Sequence, residues 1–415
     1  MSSENINISI DQLTMVLKPV VKFDILSGEW NQCISRTISE ILDKTGLSEM
    51  AGEPELSPGS RQKGYQYSYV FPGMLGLLAI SYHENRPDMG ICINFSATAL
   101  TEYCVWATRK FNSPMDVAAL LKLLQFQCFY TRVSRIDIAV DYIDFPPPFS
   151  KEGEEYFSVD SFYRDFENGQ VTVYNQDGIS RLATPMGIES DYNCQTIYLG
   201  SKQSDVFLRI YDKKAEQMGK QAKGQGIPTH HKTALNCKRW VRIEAVYRST
   251  YANQIGDMLM DYTADAGLPS LLAGIFTDKF QFYHGERPLN ITKELLALRG
   301  DKHVHLDSIK VEDTTLEKMI VNLLDHTSFK AILLYMHEIY GAKGLWELLY
   351  FFIKYFYKCV EPLYRQAQEA KIPPTGAMRA KIDWIRKHRN ATLDAFPSNS
   401  DLLHRLWDNV IGLFS

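Results

Sequence analysis

Polar and aliphatic residues alternate in three short stretches of the chain, Ser134–Tyr142, Val206–Lys214 and Trp240–Val246. Successive side chains of a strand point to opposite faces, so each stretch predicts a β-strand with one apolar and one polar side. Ile136, Ile138, Val140, Leu208, Ile210, Val241 and Ile243 share the apolar sides and require a core. Arg135, Asp137 and Asp141 stand together on the first polar side, Arg209, Tyr211 and Lys213 on the second, and Arg242 and Glu244 on the third. If the strands are neighbours, one sheet has a greasy back and a front bearing carboxylates, cations and a tyrosine. These are residue types suited to phosphoryl transfer.

Elsewhere the pattern is mixed. An amphipathic stretch over Glu29–Asp43, entered from Ser27, predicts a helix. Gly64–Phe71, Met74–His83 and Gly90–Phe95 predict a strand meander, broken at Pro72-Gly73 and at Asn85–Asp88. Ser113-Pro114-Met115-Asp116 has the chemistry of a helix start, with a run expected to about Cys128. Gln195–Leu199 and Val206–Lys213 predict a hairpin through Gly200–Asp205, and the polar, glycine-containing Gly219–Cys237 predicts a flexible loop. Beyond Thr315 the pattern turns helical, over Leu316–Asp325, Ser328–Tyr340, Leu345–Val360 and Ala377–Arg389. The expected fold class is α+β: an antiparallel sheet with flanking helices, then a helical C-terminal region. The expected divisions are a helical N-terminal segment over 1–60, a sheet-bearing catalytic domain over 61–300 and the helical region over 301–415.

Composition narrows the class. With 45% hydrophobic and 12% aromatic residues in 415, the chain is expected to fold around a substantial core. No uncharged apolar run is long enough for a membrane span, and Met1-Ser2-Ser3-Glu4-Asn5 lacks a secretory pattern. Seven scattered cysteines without a CxxC pair fit a reducing cytoplasm and argue against a zinc site or a disulfide framework. The net charge of −4 does not suggest a nucleic-acid protein, but it is unevenly spread. Eleven Lys/Arg (202, 209, 213, 214, 220, 223, 232, 238, 239, 242, 248) face four acids (205, 212, 216, 244) between Lys202 and Arg248. Local potential governs phosphate binding, so an acidic total does not exclude a DNA partner.

The three polar strands carry a resemblance. Arg135–Asp141, Tyr198–Lys214 and Trp240–Glu244 are similar, in order and spacing, to the R-[IL]-D-[IL]-A-x-D, Y-x-G-x-x-x-S-D-x-x-[IL]-R-[IL]-Y-[ND]-K-K and W-x-R-[IV]-E segments of the Rep_trans family. That family comprises rolling-circle replication initiators of small plasmids and some filamentous phages, with related relaxases of conjugative elements. The similarity covers roughly residues 60–250.

The resemblance implies a DNA nicking-joining enzyme in which Tyr211 attacks a phosphodiester and leaves a 5′-phosphotyrosyl strand. It implies a divalent cation, Mg²⁺ or Mn²⁺, held by carboxylates at Asp137, Asp141 and Glu244. A strand rise of about 3.3 Å per residue separates Asp137 from Asp141 by about 13 Å, which favours Asp137 with Glu244 as ligands and leaves Asp141 an outer or base role. Arg209, Lys213 and Lys214 are expected to ease ionisation of Tyr211 and to stabilise charge at phosphorus. DNA contacts are expected at Arg135, Lys202 and Arg242, and in the basic stretch with Arg379, Lys381, Arg386 and Lys387. Origin DNA, a homodimer, a host helicase and a DNA polymerase are the implied partners. A conjugative relaxase, a non-catalytic origin-binding regulator and a metal nuclease using water remain the rival readings.

Overall fold

The computed structural model describes residues 5–23, 27–59, 62–149, 152–178, 180–181, 186–190, 193–222, 228–263, 267–307 and 329–355. The basic stretch with Arg379, Lys381, Arg386 and Lys387, and the expected helix Leu316–Asp325, lie outside them. The chain forms two compact units, residues 1–309 and 310–415.

The first unit is α+β. Its strands are β1 (Ile6–Pro19), β2 (Glu55–Pro58), β3 (Tyr67–Val70), β4 (Leu78–Tyr82), β5 (Ile91–Phe95), β6 (Phe129–Ile143), β7 (Thr172–Tyr174), β8 (Ser180–Arg181), β9 (Met186–Ser190), β10 (Asn193–Leu199), β11 (Val206–Asp212), β12 (Trp240–Arg248), β13 (Gln281–His284) and β14 (Arg287–Pro288). Ten of them make one antiparallel sheet in the order β2-β3-β4-β5-β1-β6-β12-β11-β10-β9, and a small second sheet runs β14-β13-β7-β8. The three polar strands are therefore neighbours, with β12 between β6 and β11.

Helices cover the sheet. They are α1 (Glu29–Thr45), α2 (Leu47–Ala51), α3 (Ala97–Phe111), α4 (Val117–Leu123), α5 (Val159–Glu167), α6 (Lys213–Ala222), α7 (Pro228–Asn236), α8 (Ser249–Asp261), α9 (Leu268–Lys279) and α10 (Asn290–Arg299). The apolar sides of β6, β11 and β12 join the side chains of α1, α3, α8 and α9 in one continuous core. In α1, Trp30, Ile34, Ile38 and Ile41 recur at three- and four-residue spacing and are all buried, which places the helix.

Several expectations are corrected here. The N-terminal segment expected to be helical opens with β1, which runs through the middle of the sheet between β5 and β6. Its alternation was masked because Asp11 interrupts it. At that point the register moves from Ile10↔Ile138 to Gln12↔Asp137, so Asp11 is an extra residue, a β-bulge. The helix expected from Ser113 starts at Val117, capped by Asp116, whose Oδ1 accepts from Ala119 N at 2.8 Å. The hairpin arm ends at Asp212, because Lys213 already opens α6. The expected loop Gly219–Cys237 instead holds the end of α6 and all of α7, whose Ala234 packs with Cys237 onto Trp240.

In the second unit the described segment is a helix over Phe329–Tyr355, broken at Gly341 (φ 65°, ψ −163°). Two helices with a glycine turn were expected there, and Gly341 is where the backbone departs from helical geometry. Trp346, Tyr350 and Phe351 are exposed.

One glycine shapes the first unit closely. Gly90 sits at φ +73°, and a Cβ there would lie 2.3 Å from the Leu17 carbonyl oxygen. It lets the 3₁₀ turn Pro87–Met89 close onto β1. Gly28, at φ +75°, has nothing within 4 Å of its would-be Cβ. Gly90→Ala should therefore combine backbone strain with a steric clash and cost more than the roughly 1–2 kcal/mol of left-handed strain expected for Gly28→Ala. Urea unfolding of the two variants checks the order.

Candidate active site

The register of the central strands assembles the polar side chains into two rows. Tyr211 on β11 lies opposite Arg242 on β12, which lies opposite Asp141 on β6. One step along, Arg209 lies opposite Glu244, which lies opposite Ala139. Cross-strand neighbours on one face are within side-chain reach. The Tyr211 hydroxyl donates to Glu244 Oε2 at 3.3 Å, and Arg209 Nη2 donates to Glu244 Oε1 at 2.5 Å. The Arg209 guanidinium lies 5.3 Å from the centre of the Tyr211 ring and the Lys213 ammonium 5.7 Å. The Arg209 Nε is buried and has no hydrogen-bond partner.

A second charged group braces the first row. Arg242 is 2% exposed, and its Nε and Nη2 each donate to Asp141 at 2.7 Å while Nη1 donates to Asp11. Trp240 Nε1 adds a further donor to Asp141 Oδ1 at 2.7 Å. The bulge on β1 is what turns Asp11 toward this guanidinium. Burial works against ionisation of Asp11, but Arg242, with Lys213 and Arg209, overrides it and holds the carboxyl below its ordinary range.

Glu244 is the opposite case. Burial, and then the negative charge of Asp11, push its carboxyl up to about 7, against the pull of the single guanidinium of Arg209. Tyr211 also moves up, well above 10, through burial and then the charge of Glu244. That reverses the expectation that neighbouring cations would ease its ionisation. Arg209 and Lys213 do flank the ring, but their charges are committed elsewhere. Lys213 is buried against Glu216 at 2.7 Å, and Lys214 turns away to donate to the Cys237 carbonyl at 2.7 Å. Burial raises Glu216 and lowers Lys213, yet Lys213 and Lys220 together draw Glu216 down to about 2.

The expected metal ligands are arranged differently from a ligand set. Asp137 is fully buried and accepts two bonds from Arg135, at 2.8 and 2.7 Å. Asp141 is taken by Arg242 and Trp240, and Glu244 by Arg209 and Tyr211. No group of three His, Cys, Asp or Glu among the described residues is placed to hold an ion. As folded, each of these carboxylates meets a guanidinium, Asp137 that of Arg135, Asp141 that of Arg242 and Glu244 that of Arg209.

The expected DNA contacts also divide. Arg242 is a buried strut with its donors committed to Asp141 and Asp11, which removes it from the surface. Arg135 is partly exposed beside Asp137, and Lys202 lies in the exposed β10–β11 turn with its ammonium 3.9 Å from the Tyr198 ring centre. Asp11 is the site residue that pattern reading missed. Its signal was a lone acid among Ile8, Ile10 and Leu13, which gains meaning only once β1 is known to border β6.

Two outcomes follow from this electrostatic arrangement. Arg242→Leu strands two buried carboxylates and should destabilise the fold by about 3–5 kcal/mol in urea. Loss of the exposed Arg36–Glu40 pair should cost no more than about 0.5 kcal/mol. The second concerns pH. With its carboxyl raised to about 7 from an ordinary 4.5, Glu244 keeps its proton in the folded state where the unfolded chain has released it. Its contribution is complete below pH 4.5 and is lost as pH rises through about 7, because over that window the folded state holds a proton that the unfolded chain has released. Glu244→Gln should remove that downward slope, as read from urea midpoints across pH.

Comparison with known proteins bears on the segment that carries this site. Residues 131–325 match a family model described as replication initiation factor. No curated protein matches the chain. Among solved structures the chain is similar to a rolling circle replication initiator protein from Geobacillus stearothermophilus, at 18% identity and a TM-score of 0.47, covering 72% of this chain and 100% of that one. The three motif strands all fall inside the matched span, so over residues 131–325 the chain resembles the replication initiation factor (Rep_trans) family.

Proposed function

We propose that this protein initiates rolling-circle replication by nicking and rejoining one DNA strand through Tyr211. The observation that carries the reading is the Tyr211 hydroxyl donating to Glu244 Oε2, with Arg209 on the other carboxylate oxygen. A phenol whose ionisation is opposed by burial is a poor nucleophile unless a base removes its proton as it attacks. Glu244, raised to about 7, is poised for that task near neutral pH. A solvated carboxylate near 4.5 would be a much weaker base.

In the forward step the Tyr211 oxygen bonds to phosphorus and its proton passes to Glu244. The bond from phosphorus to the 3′-oxygen breaks, and that oxygen takes a proton from solvent. The product is a 5′-phosphotyrosyl strand with a free 3′-hydroxyl. Because the phosphodiester energy is conserved in the tyrosyl ester, a hydroxyl attacking later reseals the strand. The partly exposed guanidinium of Arg209, 5.3 Å from the Tyr211 ring centre, would stabilise the charge that builds on the phosphate oxygens.

The test is a covalent-adduct assay with labelled single-stranded oligonucleotides from the host element's origin, in Mg²⁺ or Mn²⁺. Wild-type protein should form an adduct that survives denaturing electrophoresis, and Tyr211→Phe should form none. Glu244→Gln should slow adduct formation by about 10²–10⁴-fold and abolish the rise in rate through about pH 7. Cleavage without an adduct would replace the tyrosine with water as the nucleophile. Binding without cleavage would mark a regulator.

A further inference from the structure

The front of the sheet carries a second polar feature, away from the tyrosine. On β6 the register with β1 moves from Thr14↔Arg135 to Met15↔Val133, which makes Ser134 an extra residue. Val133 thereby faces the core, against Gly256 of α8, and Arg132 is placed on the side that bears Arg135. Arg132 and Ser134 line an open cleft of ≈ 250 Å³ with Val16 and Lys18 of β1, Tyr65, Met89 and Ser249. Its lining combines the cations Lys18 and Arg132 with the aromatic and apolar Tyr65, Met89 and Val16.

The cations here are under-matched. The buried Nε of Arg132 has no hydrogen-bond partner. Lys18 donates to the Asp88 main-chain carbonyl, while the Asp88 carboxylate is held at 2.9 and 2.8 Å by Arg86. Burial lowers Lys18, and the positive charge of Arg132 lowers it further. Burial and the neighbouring Arg135 likewise lower Arg248. α8 begins at Ser249, on the rim of the cleft, where the Ser249 hydroxyl donates to the Asp205 carboxylate at 2.8 Å. Lys18 and Arg132, mutually repelling around the unpartnered Arg132 donor, make a setting that an anion would relieve.

We propose that this cleft binds a backbone phosphate of the single DNA strand whose other end reaches Tyr211, with the adjoining nucleoside against Tyr65 and Met89. The inference rests on the reading of the site as a DNA-nicking centre and adds to it the course of the strand. From Ala139, in the row of Arg209 and Glu244, to Arg132 the strand β6 advances by six residue rises, the bulged Ser134 adding none, which is about 20 Å at ~3.3 Å per residue. That spans several nucleotides, so the cleft is separate from the scissile position. Between the two, Arg135, paired with Asp137, and Arg248 lie opposite each other across β6 and β12.

Binding is measured by fluorescence anisotropy with a labelled single-stranded oligonucleotide of mixed sequence, over a salt series. All proteins carry Tyr211→Phe, so no cleavage contributes. Arg132→Gln and Lys18→Gln should each weaken binding several-fold at low salt, and each should reduce the slope of log K against log salt by about 0.7, the value for one lost phosphate contact on a single strand. Arg132→Lys should keep the slope. Shortening the oligonucleotide until it no longer spans the ~20 Å should erase the difference between Arg132→Gln and its parent. Unchanged affinity and slope in both glutamine variants would overturn the proposal, as would weaker binding with an unchanged slope. The adduct assay reports separately on the tyrosine. Loss of the adduct with the salt effect intact would sink the nicking chemistry alone, and the reverse would sink the cleft alone.

Discussion

The buried guanidinium of Arg242 is the group on which the rest of this site depends. It joins three adjacent strands, since its own strand β12 lies beside β6, which supplies Asp141, and β6 lies beside β1, which supplies Asp11. A cation taken out of water is tolerable only when its donors are satisfied, and these two carboxylates satisfy it. The arrangement has an electrostatic consequence. Arg242 is spent on Asp141 and Asp11, which leaves Glu244 with the weaker share of positive charge and with Asp11 as a negative neighbour. The high proton affinity of Glu244, and so its fitness as a base, follows from where Arg242 is anchored.

Tyr211 illustrates the difference between proximity and effect. Arg209 and Lys213 stand beside its ring, as strand alternation implied, yet its hydroxyl is harder to ionise than a free phenol. Each cation is engaged by a carboxylate that lies nearer, Arg209 by Glu244 and Lys213 by Glu216. What remains at the tyrosine is burial and a proton acceptor. The site resembles a proton relay more than an electropositive nest, with Glu244 as the member whose protonation state changes near neutrality.

Much of this was legible from alternation alone. Ile136, Ile138, Leu208, Ile210 and Ile243 are all fully buried, and the three polar sides do meet on adjacent strands. Period-two patterns report such strands faithfully because burial of one face leaves little choice of register. The pattern could not show β1, whose alternation breaks at Asp11, or α6 and α7, in a polar stretch whose hydrophobic cluster is the small one of Ala234, Cys237 and Trp240, separate from the main core. Nor could it distribute the ion pairs. Asp137 and Arg135 lie two residues apart and find each other within one strand, whereas Asp141 is claimed by two residues of β12, Trp240 and Arg242. Sequence distance carries no information about that competition.

The two bulges of the β1–β6 pair are linked in a way that neither reveals alone. β1 gains Asp11 and β6 gains Ser134, so the strands fall out of step for a few residues between them and then return to the original alignment. Deleting either residue by itself would leave the strands offset by one position on one side of the lesion and would turn buried faces outward. Deleting both would restore alignment, at the loss of the carboxylate that meets Arg242 and of the placement of Arg132. In descent, insertions and deletions at these two positions, more than a hundred residues apart, should therefore travel together. A relative that lacks one but not the other would have to repair the pairing elsewhere in the same two strands.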